Sequence, residues 1–154
     1  MADTTIFQRL ALDVRLPLDA ETLVYELLNR AYPNDVWPDV HVFSEIDLDL
    51  NAMAETGRVI LYSVESPKQR DRGLWEFTVT FTVLGADVNN PYGLSRDLYK
   101  RVMGWPFEDA TMSGKISRIV SMDAPERRSD AKENQGKNIK EYGFDALMDA
   151  RDIQ

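Results

Sequence analysis

The sequence predicts an α+β fold: a mainly antiparallel, mixed sheet packed against two principal helices. Three observations carry this. Residues 74–84 alternate apolar and polar side chains without a break, the period of a strand with one buried face. Two other stretches, near 19–32 and 91–103, each carry a single apolar stripe at helical spacing. The order helix, strand, strand, strand, helix, strand, strand is not the regular strand–helix alternation of a parallel α/β sheet. The 154 residues predict one domain over the whole chain, 1–154. A domain of that size buries about 68–70% of its unfolded surface, enough for one core without covalent staples.

The first helix begins at Asp19, whose carboxylate can accept a backbone N–H as N-cap; Glu21 places negative charge in the first turn. Leu18 and Leu23 occupy the positions of a hydrophobic staple. Leu23, Val24, Leu27, Leu28 and Ala31 form the stripe, and Pro33 ends it. Residues 40–43 read as a short strand. Residues 58–64 are apolar on both faces, which predicts a central strand. Residues 66–73 read as a hairpin-like loop leading into the long strand. There Trp75, Phe77, Val79, Phe81 and Val83 mark the core face, against Glu76, Thr78, Thr80 and Thr82. The second helix opens with Asn90 as N-cap and Pro91 at the first helical position. Leu94, Leu98 and Val102 follow four apart, and Gly104 reads as the C-terminal stop. Residues 115–122 form a strand carrying Ile116, Ile119 and Val120. The polar run DAPERRSDAKENQGKN at 123–138 reads as a long connection. Residues 139–148 close the sheet antiparallel to their predecessor, with Tyr142, Phe144, Ala146 and Met148 on one face.

Composition narrows the chemistry. With no Cys, the chain has no disulfide, thiolate metal site, iron–sulfur cluster or Cys nucleophile. The net charge is −8 and is unevenly spread. Residues 1–60 hold eleven acids against four bases; the remainder is close to neutral. Such a balance does not favour phosphate backbones, whose affinity comes largely from Lys and Arg displacing counterions. Two basic clusters stand out: Lys68, Arg70 and Arg72, and Arg127 with Arg128. Each is either a solvated loop or a contact patch. No run of 18 apolar residues is present, so no membrane span is expected, and the N-terminus does not read as a signal peptide.

The phosphate-binding, nucleophile-elbow and zinc-protease motifs are all absent. His41, the one histidine, lies between Val40 and Val42 and reads as a structural residue of a strand. Glu45, Asp47 and Asp49 share one face of an extended chain, with carboxylates about 7 Å apart. They form either a hard-cation site or an acidic edge that discourages strand-to-strand aggregation. Trp37, before Pro38, and Trp105 with Phe107, just past the second helix, are either caps over the core or contact residues. No cofactor or metal is expected, and the chain reads as a non-enzyme.

The segments GLWEFTVTFTVLGAD, NPYGLSRDLYKRVMG, GKISRIVSMDAPERR and KEYGFDALMDAR, in that order, resemble the small tail-terminator (minor tail) proteins of long-tailed bacteriophages, particularly those infecting actinobacteria. The helix at 19–32 and the strand at 58–65 fit the same plan, so the resemblance covers about residues 19–152. Its most family-like short features are the Gly-x-Ile at 114–116 and the Ala124-Pro125 break. The resemblance implies a homohexameric ring in the neck of the virion, made in the host bacterial cytoplasm. That ring caps the tail tube, halts its polymerisation and meets the head's connector, while DNA passes through the lumen without specific binding. It implies no catalytic residue.

A cyclic ring needs two different complementary patches per subunit. Arg127 and Arg128, or Lys68, Arg70 and Arg72, are expected to meet carboxylates of a neighbouring subunit. A net negative lumen is expected to repel DNA phosphates. The alternatives are a head–tail connector or stopper, another minor tail ring protein such as a tube subunit, a small metal-dependent enzyme using Asp47 and Asp49, and a monomeric ligand-binding module.

Overall fold

A computed structural model of the chain describes residues 16–44, 54, 56–128 and 139–152. In chain order these contain helix α1 (Ala20–Ala31), strands β1 (Val40–Phe43), β2 (Arg58–Val64), β3 (Lys68–Asp71) and β4 (Leu74–Ala86), helix α2 (Pro91–Gly104), and strands β5 (Lys115–Met122), β6 (Glu126–Arg127) and β7 (Ile139–Arg151). Short 3-10 turns at Asp87–Asn89 and Trp105–Phe107 flank α2. The fold is α+β with a mixed sheet, as the alternation and the two stripes predict.

β4 organises the sheet. β7 runs antiparallel along one edge of it from Leu74↔Arg151 to Ala86↔Ile139. The other edge is shared by β2, paired from Gly85 down to Val79, and β3, paired at Leu74–Glu76. β1 adds to β2 in parallel, the one parallel pairing among the described strands, and β5 and β6 share the outer edge of β7. The path across the sheet is β1-β2-β4-β7-β5.

Both helices lie on one face. α1 sits against β1 and β2, and α2 against β4 and β7. Between them is one core. Leu23, Val24 and Leu28 of α1 and Leu94, Leu98 and Val102 of α2 meet Phe77, Val79, Phe81 and Val83 of β4 and Phe144, Ala146 and Met148 of β7. Each large aliphatic side chain buried this way contributes about 1.5–3 kcal/mol. A smaller cluster of Ala54, Val59, Leu84 and Ile139 occupies the opposite face, with Phe43 and Leu61 against it.

The helix starts follow the capping reading. The Asp19 carboxylate accepts the Thr22 amide at 3.1 Å, and the Asn90 side chain accepts the Gly93 amide at 3.0 Å. The end of α2 does not. Gly104 is the last helical residue at φ −85°, in the right-handed region, and the chain tightens into the Trp105–Phe107 turn. Pro106, which has no N–H to continue the ladder, ends the helix instead. The expected loop at 66–73 also contains more structure than predicted: β3 continues the β2–β4 hairpin beyond a short irregular stretch. The long connection begins with β6, and residues 129–138 lie outside the described residues. At the start of β5, a Cβ on Gly114 would lie 2.6 Å from the Arg151 carbonyl oxygen, so the two strands approach only because that residue is glycine.

Candidate interaction surfaces

The two basic clusters flank the β4–β7 pair, one on each outer edge. Lys68 and Arg70 lie on β3, and Arg72 in the turn after it; all three are exposed. Arg70 is not free, because its guanidinium donates to Glu76 on β4. On the other edge Arg127 of β6 is exposed, opposite Tyr142. Arg128 turns back over the sheet. A Cβ at Gly143 would lie 2.7 Å from its Nε, so the glycine opens the path along which the guanidinium reaches within 3.9 Å of Asp145. Lys68, Arg72 and Arg127 therefore present charge outward, whereas Arg70 and Arg128 are partly spent within the chain.

The three aromatic candidates separate. Trp105 is a core residue, 1% exposed, edge-on to Phe81 at 5.9 Å between ring centres. The 3-10 turn folds its indole inward, so it offers no contact surface to a partner. Phe107, two residues on, is 91% exposed. Trp37 is half-buried and caps the core beyond α1. Its ring meets Tyr32 edge-on at 5.1 Å, with Arg101 and Arg58 5.6 and 5.8 Å from its centre. Asp97 ties this cluster together. It accepts from the Tyr32 hydroxyl and from Arg101 Nε, each at 2.7 Å. Burial, followed by that carboxylate, pushes the Tyr32 phenol well above its ordinary range.

Two arrangements were not legible in the sequence. On the face away from the helices, Arg70, Glu76, Asp149 and Arg118 form a row across β3, β4, β7 and β5. Glu76 and Asp149 stand directly opposite each other, Arg70 pairs with Glu76, and Arg118 Nε meets Asp149 at 2.7 Å. Asp149 is 2% exposed, and its second carboxylate oxygen has no hydrogen-bond partner.

The second arrangement is an open groove of about 640 Å³ between α2 and the Ala124–Pro125 link between β5 and β6, lined also by Tyr92, Arg96, Tyr99 and Lys100. Tyr92 packs on Tyr142 at 5.1 Å and carries the Arg96 guanidinium 5.9 Å above its ring. Asp97 at the groove is already neutralised by Arg101. Among the described residues no carboxylate pairs with Arg96 or Lys100. On an acidic chain, this groove is a local cationic site with aromatic walls.

His41 is half-buried on β1, opposite Val59 on the face of the smaller cluster. Glu45, Asp47 and Asp49 lie outside the described residues. Among the described residues no three His, Asp or Glu side chains are placed to hold a metal, and no helix is long and apolar enough to cross a membrane. Comparison of the chain with protein-family models and with curated proteins finds no match.

Proposed function

We propose that this chain is a tail-terminator-type ring protein of a long-tailed phage virion. In this reading it docks against copies of itself, caps the tail tube and offers a surface to the head's connector. The observation that carries the reading is the order of elements under the resemblance. GLWEFTVTFTVLGAD forms the central strand β4, NPYGLSRDLYKRVMG helix α2, GKISRIVSMDAPERR strands β5 and β6, and KEYGFDALMDAR the closing strand β7. The family-like Gly-x-Ile falls where only glycine permits β5 to approach β7, and Ala124-Pro125 forms one wall of the groove.

The chemistry of the surface supports docking. Exposed cations lie toward both edges of the sheet, where carboxylates of a neighbouring copy would complete a heterologous contact. Lys68 and Arg72 lie beyond β4, and Arg127, Arg96 and Lys100 lie on the β7 side. Ion pairs at such rims set register and partner choice more than affinity. The net −8 supports a lumen that DNA crosses without sticking, since few cations remain to displace counterions. The test is particle mass by light scattering, on the protein alone and with purified tail tubes. A ring, alone or at tube tips, supports the reading. Tight binding of Mg²⁺ or Ca²⁺ in calorimetry, abolished by D47N/D49N, would instead favour a metal-dependent enzyme.

A further inference from the structure

We infer that the groove between α2 and the Ala124–Pro125 link receives the acidic stretch 45–55 of a second copy of this chain. The inference rests on the self-assembly reading above and names its contact.

The groove supplies two cations at a fixed spacing. Arg96 and Lys100 are four apart on α2, on one helix face, with their backbones about 6 Å apart along the axis. The stretch Glu45-Ile46-Asp47-Leu48-Asp49-Leu50 has an acid at every second residue and no base. Laid down extended, it repeats a carboxylate about every 7 Å on one side and an apolar side chain on the other. Carboxylates then meet Arg96 and Lys100, while Ile46 and Leu48 meet Ala124 and Pro125. The match is one of spacing and sign together.

Geometry favours an intermolecular contact. Residues 45–53 are tethered between Ser44, just past β1, and Ala54, which packs against Val59 and Leu84 on the face away from the helices. The groove is on the helix face, beside β6. From β1 to β6 the path crosses β2, β4 and β7, about 19 Å in the plane of the sheet. Nine residues span at most about 34 Å between these two anchors, and from Ala54, on the far face, the path to a groove on the helix face must also round the edge of the sheet. The acidic stretch is therefore seated in the groove of a neighbouring copy. A donor on one edge and an acceptor on the other is the heterologous arrangement that closes into rings.

The test uses the full-length protein, diluted until monomeric, and a fluorescein-labelled peptide of residues 44–56, read by anisotropy. Saturable binding is expected, weakening as salt rises from 50 to 200 mM and falling at least tenfold for R96E/K100E. A D47K/D49K peptide should fail on the wild-type protein and regain binding to R96E/K100E. Both groove residues are on a solvated helix face, so circular dichroism should show the variant folded. No binding by the wild type, or equal binding by folded R96E/K100E, overturns the inference. Light scattering separates it from the ring reading. Rings that persist in R96E/K100E leave the ring and remove the groove. Tail-tube binding lost in R96E/K100E but intact in full-length D47K/D49K gives the groove to a different partner and overturns self-docking.

Discussion

Asp149 faces Glu76 across two strands with their side chains on the same side of the sheet, a like-charge pairing that is unfavourable in isolation. Arg118 and Arg70 flank the pair and offset it. Arg118 is itself well exposed, so most of its worth lies in satisfying a carboxylate that is 97% buried. Arg118→Met should cost roughly 1–3 kcal/mol in urea unfolding. The double variant R118M/D149N should recover much of that loss; a double variant as unstable as the single one contradicts this account. Tyr32 gives a pH signature. Its neutral phenol is favoured by burial and by donation to Asp97, so its folded pKa lies above that of the unfolded chain. Below about pH 10 the phenol is protonated in both states and its stabilisation is fully present. As pH rises above that value the unfolded chain releases the proton first, and stability falls. Urea midpoints between pH 8 and 11 should therefore drop more steeply for the wild type than for Tyr32→Phe. Parallel slopes contradict the assignment.

At the scale of elements, α2 depends on an unusual start. Asn90 adopts a left-handed backbone at φ 56° while its side chain caps the Gly93 amide. Asn90→Ala loses the cap and keeps the strain, for an expected cost of about 1–2 kcal/mol; Asn90→Gly should cost only a few tenths. Equal losses in thermal unfolding would contradict the cap. This residue, like Asp19, was legible because capping is local chemistry. So was β4, whose alternation encodes a buried face directly. Other elements were not legible for physical reasons. All four residues of β3 are exposed, so it has no apolar face to announce it and exists because β4 offers an unpaired edge. The parallel pairing of β1 with β2 is a tertiary choice that neither segment encodes alone. Trp105 lies where helical period ends at Pro106, so nothing in the local pattern points it into the core. Arg96 and Lys100 read as an ordinary solvated helix face, and only Ala124–Pro125, distant in sequence, turns that face into a groove.

For the whole molecule, the central claim is that the chain works as a shaped block that docks. One exposed aromatic tests the apolar part of that claim. Phe107 is almost wholly exposed although Trp105 beside it is buried, so Phe107→Ser should leave urea unfolding within about 0.5 kcal/mol of wild type. The same change should weaken self-association or tube binding if Phe107 seats in a partner. Charge reversal at Arg127 and Arg128 tests the rim, and should weaken ring formation as added salt does; assembly unchanged by both would remove those residues from the interface. The most direct measurement is the mass of the wild-type protein by light scattering, alone and after adding purified tail tubes. The account predicts a closed ring of about six chains in at least one of the two conditions. A chain that stays monomeric in both, and never associates with tubes, contradicts it.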